Sequence, residues 1–280
     1  MIILFYGHKG WIGSQIVKQW SALFPDDTLV FSNTRLEVNN LDQIENEIKS
    51  ADRVFSTVGR TSGNNINNID YLEDHLEENI RDNLYCPMLL ALLCKKHNKH
   101  LSYLGTGCIF SRNTRENDYI YTELDTPDFT GSGYSTVKGF TDNLTKMFDN
   151  VLNLRIRMPI TGDWHSKNFI TKIVGFKNIC SYPNSMTYMP DMIPYMIHMS
   201  RDNVTGTYNM VNDNPISHEE ILEMYKTQVK PLHTYNLIEQ TELELKAKRS
   251  NNVLSCDKLK KLFKVRTIHE CIKEALESMK

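Results

Sequence analysis

The sequence predicts an α/β protein built on a doubly wound parallel sheet, with a smaller C-terminal substrate-binding region. Three observations carry this. An apolar stretch of strand length, residues 1–6, runs into three glycines three residues apart, Gly7, Gly10 and Gly13, and then into the helix-spaced apolar set Ile12, Ile16, Val17 and Trp20. Strand-like and helix-like segments alternate over residues 1–160, the pattern of a parallel sheet covered by helices on both faces. Beyond Pro159 the rhythm becomes irregular, and the C-terminal stretch reads as two or three amphipathic helices.

The opening strand, turn and helix form a Rossmann-like unit. Gly7 suits the tight turn, Gly10 leaves room for a pyrophosphate at the helix N-terminus, and Gly13 lets helix and strand pack closely. Trp11 and Ile12 belong to the same cofactor turn. The spacing is G-x-x-G-x-x-G rather than the commonest dinucleotide fingerprint, so taken alone an ordinary strand-to-helix turn remains open. Further strands are expected at 28–32, 53–57, 100–104 and 151–157, the second of these ending at Val58-Gly59. Helices are expected at 41–49, over 70–96 with a break near Pro87, and at 134–148. Strands of this class end at one edge, where ligands bind. Downstream, 167–177 and 190–200 read as helices, 183–185 as a turn, and 206–211 as a strand returning to the sheet. In the final helix Ile268, Cys271, Ile272, Ala275, Leu276 and Met279 share a face, most simply a core stripe. Residues 1–160, with a return segment near 189–212, form the expected dinucleotide-binding domain, and 161–188 with 213–280 the substrate-binding region.

Composition narrows the function classes. With 24% charged residues, 40% hydrophobic residues and a net charge of −2, neither disorder nor a basic nucleic-acid surface is expected. The six cysteines show no C-x-x-C or Cys/His clustering, so reduced thiols, a cytoplasmic location and no metal site are expected. No apolar run approaches a membrane span, and the N-terminus lacks the basic flank and cleavage site of a secretory signal.

The end of the second strand bears on the cofactor. A site for NAD places a carboxylate there, whereas a 2′-phosphate calls for a cation. The chain reads Ser32-Asn33-Thr34-Arg35, with no carboxylate before Glu37. Asn33 and Arg35 therefore suit NADP(H), a solvated surface arginine being the alternative. Tyr134 and Lys138, four apart, lie on one helix face, so an ammonium can sit beside a phenol and a nicotinamide ribose. The fourth strand runs into Leu104-Gly-Thr-Gly-Cys-Ile-Phe110, where Thr106 and Cys108 point the same way in an extended segment. The hydroxyl suits a substrate carbonyl and the thiol an acid/base role, although a cysteine beside a strand is usually a small packed hydrophobe.

The glycine turn, Val58-Gly59, Thr106, Tyr134 and Lys138, in this order, resemble the extended short-chain dehydrogenase/reductases, especially the sugar-nucleotide branch. By that resemblance the catalytic triad is Thr106, Tyr134 and Lys138, and Asn83 matches an asparagine of the long helix. Thr106-Gly-Cys-Ile-Phe110, Pro127-Asp-Phe-Thr-Gly-Ser132, Leu154-Arg-Ile-Arg-Met-Pro159, Asn168-Phe-Ile-Thr-Lys172, Pro183-Asn-Ser-Met-Thr187, Ile221-Leu-Glu-Met-Tyr-Lys226 and Arg249-Ser-Asn-Asn252 are similar, over nearly the whole chain, to the 3,5-epimerase/4-reductases of UDP-rhamnose synthesis. These are known as the C-terminal part of plant rhamnose synthases and as a stand-alone giant-virus form. The resemblance implies that Cys108 and Lys172 are the epimerase acid/base pair, that Pro159 helps bind cofactor, and that Asn83, Asn168, Arg249, Asn251 and Asn252 meet substrate.

The implied chemistry is coherent. In UDP-4-keto-6-deoxy-D-glucose, C3 and C5 both lie α to the ketone, so their protons can leave to an enolate and return on the other face. A thiol and a lysine shifted by burial can exchange such protons near neutrality. Hydride from NADPH then reaches C4, with Tyr134 as acid and Thr106 holding the oxygen. The alternatives are a monofunctional reductase of an already epimerised dTDP- or UDP-sugar and a non-catalytic NADP(H)-binding regulatory subunit of this fold. A homodimer is the family expectation.

Overall fold

A computed structural model of the chain describes residues 1–111 and 119–280. Along it run β1 (Ile2–Tyr6), α1 (Trp11–Leu23), β2 (Thr28–Phe31), α2 (Leu41–Lys49), β3 (Arg53–Ser56), α3 (Leu76–Ile80), α4 (Cys86–Lys96) and β4 (His100–Thr106). Then come β5 (Ile120–Tyr121), α5 (Gly133–Thr145), β6 (Val151–Ile156), β7 (Pro159–Ile160), α6 (Phe169–Ile173), β8 (Asn178–Ile179), β9 (Thr187–Tyr188) and α7 (Met189–Arg201). The chain closes with β10 (Gly206–Asn209), α8 (His218–Gln228), β11 (Asn236–Leu237), β12 (Val253–Leu254), α9 (Asp257–Lys260) and α10 (Ile268–Ser278). Two compact units result. The first comprises Met1–Thr106, Gly133–Arg155 and Ile193–Tyr208, the second Gly107–Ser132, Ile156–Met192 and Asn209–Lys280.

The first unit holds a six-stranded sheet in the order β10-β6-β4-β3-β1-β2. β1 pairs in parallel with β2 and β3, and β3 with β4. Parallel neighbours need crossovers, which α1, α2 and the α3–α4 segment provide. This is the Rossmann-like doubly wound class that the alternation predicts, and the returning segment supplies its sixth strand.

Because helices cover both faces, β1 is apolar in both directions. On one face Phe5 meets the edge of Trp20 and stacks on Phe55, each at 5.5 Å between ring centroids. Leu4 and Tyr6 face the other way, into a cluster with Ile44, Ile48, Leu90 and Cys94. A buried ion pair ties β6 to α5: Arg155 donates to both Asp142 oxygens, at 2.8 and 2.6 Å, and Asn153 adds a third bond at 2.7 Å.

The helix expected over 70–96 is interrupted. A 3-10 turn (Ile69–Glu73) precedes α3, and a π-helical turn (Arg81–Tyr85) separates α3 from α4. Pro87 sits in the first turn of α4, where its missing N–H breaks the hydrogen-bond ladder, and the preceding turn widens to accommodate this. The expected helix at 167–177 shrinks to α6, begun by the Asn168 cap and followed closely by Gly175.

In the second unit the apolar stripe of α10 is core. Ile268, Cys271, Ile272, Ala275 and Leu276 are buried with Ile221, Leu222 and Tyr225 of α8 and with Ile160, Ile170 and Tyr188. Capping boxes start both helices, Ser217 with Glu220 and Thr267 with Glu270. Among the described residues no helix is long and apolar enough to cross a membrane, and no cluster of His, Cys, Asp and Glu could hold a metal ion.

Candidate active site

In the first unit the glycine turn is shaped by close approach. Gly7 has φ +86°, and a Cβ there would lie 2.7 Å from Thr57 Oγ1. A Cβ on Gly13 would lie 2.3 Å from the Gly7 carbonyl oxygen, so only glycine lets the helix sit against the strand end. Gly10 is the exposed N-cap of α1, and no side chain caps that helix. The first-turn amides, including those of Trp11 and Ile12, lie at the positive end of the helix dipole, an environment that suits a dinucleotide pyrophosphate.

At the end of β2 the structure adds a cation that the sequence reading missed. Lys9, inside the glycine turn, donates to Asn33 Oδ1 at 2.6 Å. Arg35 projects outward, 3.8 Å from Glu37. Both cations suit a ribose 2′-phosphate. The loop between them is fixed by Glu47, which accepts from Tyr6 and Ser32 at 2.7 Å each and from Thr34 at 2.5 Å. Ser32, Asn33, Thr34, Arg35 and Glu47 help line a cavity of about 530 Å³.

Val58 and Gly59 follow β3, and the side chain of Asn83 is bound up with that loop. Asn83 accepts from the Arg60 amide and donates to the Arg60 carbonyl and to Asn79, each at 2.9 Å, while a Cβ on Gly59 would stand 3.2 Å from its oxygen. Asn83 thus braces the loop that follows β3.

α5 presents Tyr134 and Lys138, both buried. Glu73 accepts from the Gly133 amide at 2.8 Å, and Thr141 donates to the Asn83 carbonyl at 2.6 Å, which sets where this helix starts and how it is turned. The Lys138 ammonium donates to the Tyr103 hydroxyl and, at 3.4 Å, to the Leu104 carbonyl. Burial lowers the Lys138 pKa to about 7, with Asp142 opposing the shift. Tyr103 is pushed well above the usual phenol range by its own burial and then by the proximity of Tyr134 and Asp142. The first unit therefore gathers Tyr103, Tyr134 and Lys138, with Thr106 closing β4 nearby in sequence.

The second unit holds the other assigned residues. Cys108 is half-buried, whereas the other five cysteines are buried. The carbonyl of Gly107, which opens the peptide to Cys108, accepts from Asn252 at 3.0 Å and Arg157 at 3.4 Å. Asn252, fully buried, also donates to the Phe110 carbonyl and to Ser250, so its amide group is turned inward onto the cysteine loop. Asn251 accepts from Asn184 at 3.1 Å and donates to Gln240 at 2.8 Å. Lys172 on α6 has its pKa lowered, first by burial and then by Lys167 and Arg249, so the three cations are neighbours. Asn168 caps α6: its oxygen accepts from Thr161 and Ile170, and its nitrogen donates to the carbonyls of Thr161 and Asp163. All four bonding positions are taken, which leaves none for substrate. Pro159 opens β7, paired with Thr187 of β9.

A doubly wound sheet, a glycine turn with an uncapped helix N-terminus and a buried Tyr–Lys pair one helical turn apart define the nicotinamide-dependent oxidoreductases of the short-chain type. The chain is 47% identical over 286 residues to uncharacterized protein L780 of Acanthamoeba polyphaga mimivirus, covering 99% of this chain and 98% of that one. It is 36% identical over 266 residues to the bifunctional dTDP-4-dehydrorhamnose 3,5-epimerase/dTDP-4-dehydrorhamnose reductase of Arabidopsis thaliana, covering 93% of this chain and 87% of that one. The chain belongs to the family of rhamnose-forming nucleotide-sugar 3,5-epimerase/4-reductases. The crystal structure of the L780 UDP-rhamnose synthase from the mimivirus matches it with a TM-score of 0.94 at 45% identity, over 100% of this chain and 99% of that one. The fold is shared with a dTDP-4-dehydrorhamnose reductase of Bacillus anthracis in complex with NADP, with a TM-score of 0.78 at 14% identity, over 100% of this chain and 99% of that one. No family model matches the chain.

Proposed function

We propose that the chain converts UDP-4-keto-6-deoxy-D-glucose to UDP-L-rhamnose with NADPH, by 3,5-epimerisation followed by 4-keto reduction. The supporting observation is that one chain of this family carries two acid–base sets: Tyr134 with buried Lys138 after Thr106, and Cys108 with a Lys172 whose pKa is lowered.

In the epimerase half, Cys108 and Lys172 remove and return the protons at C3 and C5, which the adjacent ketone acidifies. Burial and the neighbouring cations Lys167 and Arg249 bring Lys172 closer to the range where it exchanges protons at working pH. In the reductase half NADPH supplies the hydride that reaches C4. Tyr134 gives its proton to the C4 oxygen, Thr106 donates a hydrogen bond to that oxygen, and the Lys138 ammonium offsets the charge left on the phenol. Gly7, Gly10, Trp11, Ile12 and Gly13 receive the pyrophosphate, while Asn33, Arg35 and Lys9 meet the 2′-phosphate. Asn83 supports the Val58-Gly59 loop of the same site. Arg249 and Asn251 are the substrate contacts kept in this reading.

The test is direct. Pure protein, NADPH and the UDP-4-keto sugar in deuterated water are expected to give cofactor oxidation, UDP-rhamnose and deuterium at C3 and C5, with the dTDP sugar run alongside. Absence of all three products ends the proposal; reduction without deuterium reduces it to a 4-keto reductase. The same reading includes a homodimer, supported by exposed Leu92 on α4, Phe140 and Leu144 on α5, and nearby Met147. Sedimentation reads it.

A further inference from the structure

Two arginines stand two residues apart in Leu154-Arg-Ile-Arg-Met-Pro159, and both are fully buried. Arg155 is compensated by Asp142 through a bidentate pair. Arg157 is not. Its partners are all neutral: the Gly107 carbonyl at 3.4 Å, the Ser250 carbonyl at 2.6 Å and the Asn184 side-chain oxygen. Its Nε has no partner, and among the described residues no carboxylate reaches ion-pair distance. An arginine cannot shed its proton to escape burial, so the site needs an anion.

Among the described residues, His218 and Cys108 are the titratable groups that interact with Arg157. His218, at the start of α8, is pushed down to about 4 by burial and then by the guanidinium, and so is neutral at working pH. Cys108 is the other, one residue from the Gly107 carbonyl that accepts from Arg157. The geometry agrees: Arg157 Nη1 bonds the carbonyl of the peptide leading into Cys108, and Arg157 Cδ lies 3.7 Å from where a Cβ on Gly107 would be.

We infer that Arg157 is the buried counter-charge of Cys108, a positioning residue that stabilises the negative charge the sulfur carries when it acts as a base. The inference rests on the epimerase role proposed for Cys108. When the sulfur takes a proton from C3 or C5, the carbon–hydrogen bond breaks, the sulfur–hydrogen bond forms, and the electron pair moves onto the enolate oxygen. The Lys172 ammonium then protonates the carbon on the other face as its own nitrogen–hydrogen bond breaks, and the negative charge returns to sulfur, beside the guanidinium, when the thiol passes its proton through solvent to the neutral Lys172 amine.

Iodoacetamide labelling of Cys108, followed by mass spectrometry of its peptide, reads this charge without substrate, since the other five thiols are buried. In the wild-type chain the labelling rate at pH 7 relative to pH 10 is expected to exceed that of N-acetylcysteine about fivefold or more; parity overturns the inference. Asn184→Asp sets a near-isosteric carboxylate against the guanidinium and neutralises it in place. It is expected to cut labelling at pH 7 about fivefold, with the difference closing at pH 10, whereas Arg157→Lys keeps most of the rate. Equal labelling of the Asn184→Asp and wild-type proteins at pH 7 overturns the assignment to Arg157. NADPH-dependent reduction of a pre-epimerised 4-keto sugar reports folding of each variant. Failure of the epimerase reading shows separately: no deuterium at C3 or C5 in the wild-type protein, with the labelling contrast intact, removes the catalytic use and keeps the charge coupling.

Discussion

The Lys9 ammonium donates to Asn33 Oδ1 at 2.6 Å, so the glycine turn itself contributes a cation to the end of β2, where Arg35 is the other. Charge-assisted bonds to a phosphate favour the cofactor that has one. Lys9→Ala and Arg35→Ala are each expected to raise KM for NADPH about tenfold, the effect of ~1.4 kcal/mol, while leaving kcat and the KM for NADH within about twofold. Steady-state kinetics with both cofactors decide; an equal change for the two means that these cations do not read the phosphate.

Lys138 carries a pH signature. Its folded pKa of about 7 lies below the usual lysine value, through burial. The unfolded chain therefore holds the proton over the interval from about 7 to 10.5 while the folded chain does not, and stability from this group rises with pH across that window. Below it, the cost of a buried ammonium is fully felt. Lys138→Met is expected to flatten the rise, with its relative gain greatest at pH 6. Denaturant midpoints of the cofactor-free proteins at pH 6 and 9 measure this, and parallel slopes for the two proteins contradict it.

Tyr103 accepts a hydrogen bond from that ammonium. Removing the acceptor weakens the charged form, so Tyr103→Phe is expected to move the alkaline limb of the reductase pH–rate profile to lower pH by about half a unit to one unit. An unmoved limb with a lower plateau assigns Tyr103 to packing alone.

Cys108→Ala is expected to lower epimerisation by about 10²–10⁴-fold, the usual scale of general acid–base catalysis, and to leave reduction of a pre-epimerised 4-keto sugar within about threefold. Deuterium incorporation and cofactor oxidation, measured on the same sample, separate the two. Loss of both activities from a folded variant contradicts this division of labour.

Ile272 is fully buried in the core of the second unit. Ile272→Ala is expected to cost about 2–5 kcal/mol, read as a lowered denaturation midpoint. A loss well under 1 kcal/mol means that the helices there repack.

What was legible in the chain followed from local pattern. The strand, glycine turn and helix at residues 2–23 and the α10 stripe each express a periodicity within one window, and both stand in the fold. The returning strand at 206–209 was legible for the same reason. Partners set by tertiary structure were not. Lys9 reads as a solvated loop lysine until β2 brings Asn33 to it, and Tyr103 as one more strand aromatic until α5 delivers Lys138. A single signal was available for Arg157: two arginines in an otherwise apolar strand run, which must each find compensation. Asn168 shows the opposite limit, since an asparagine before a short apolar run is also a helix cap, and that is where its bonds go.

Thr106 ends one segment of the first unit, and Cys108 stands two positions on, in the second. The hydroxyl proposed for the reduction and the thiol proposed for the epimerisation are therefore separated by a single residue, in a chain whose two units alternate along the sequence rather than follow one another. Such an arrangement cannot arise by appending one gene to another, nor can one crossover exchange either unit whole with a relative. A chimaera divided between the two residues must also preserve Gly107, where a Cβ would stand 2.4 Å from Leu254 Cδ1. With one glycine between them, the two residues proposed for the two reactions are thus closely linked in any exchange of segments.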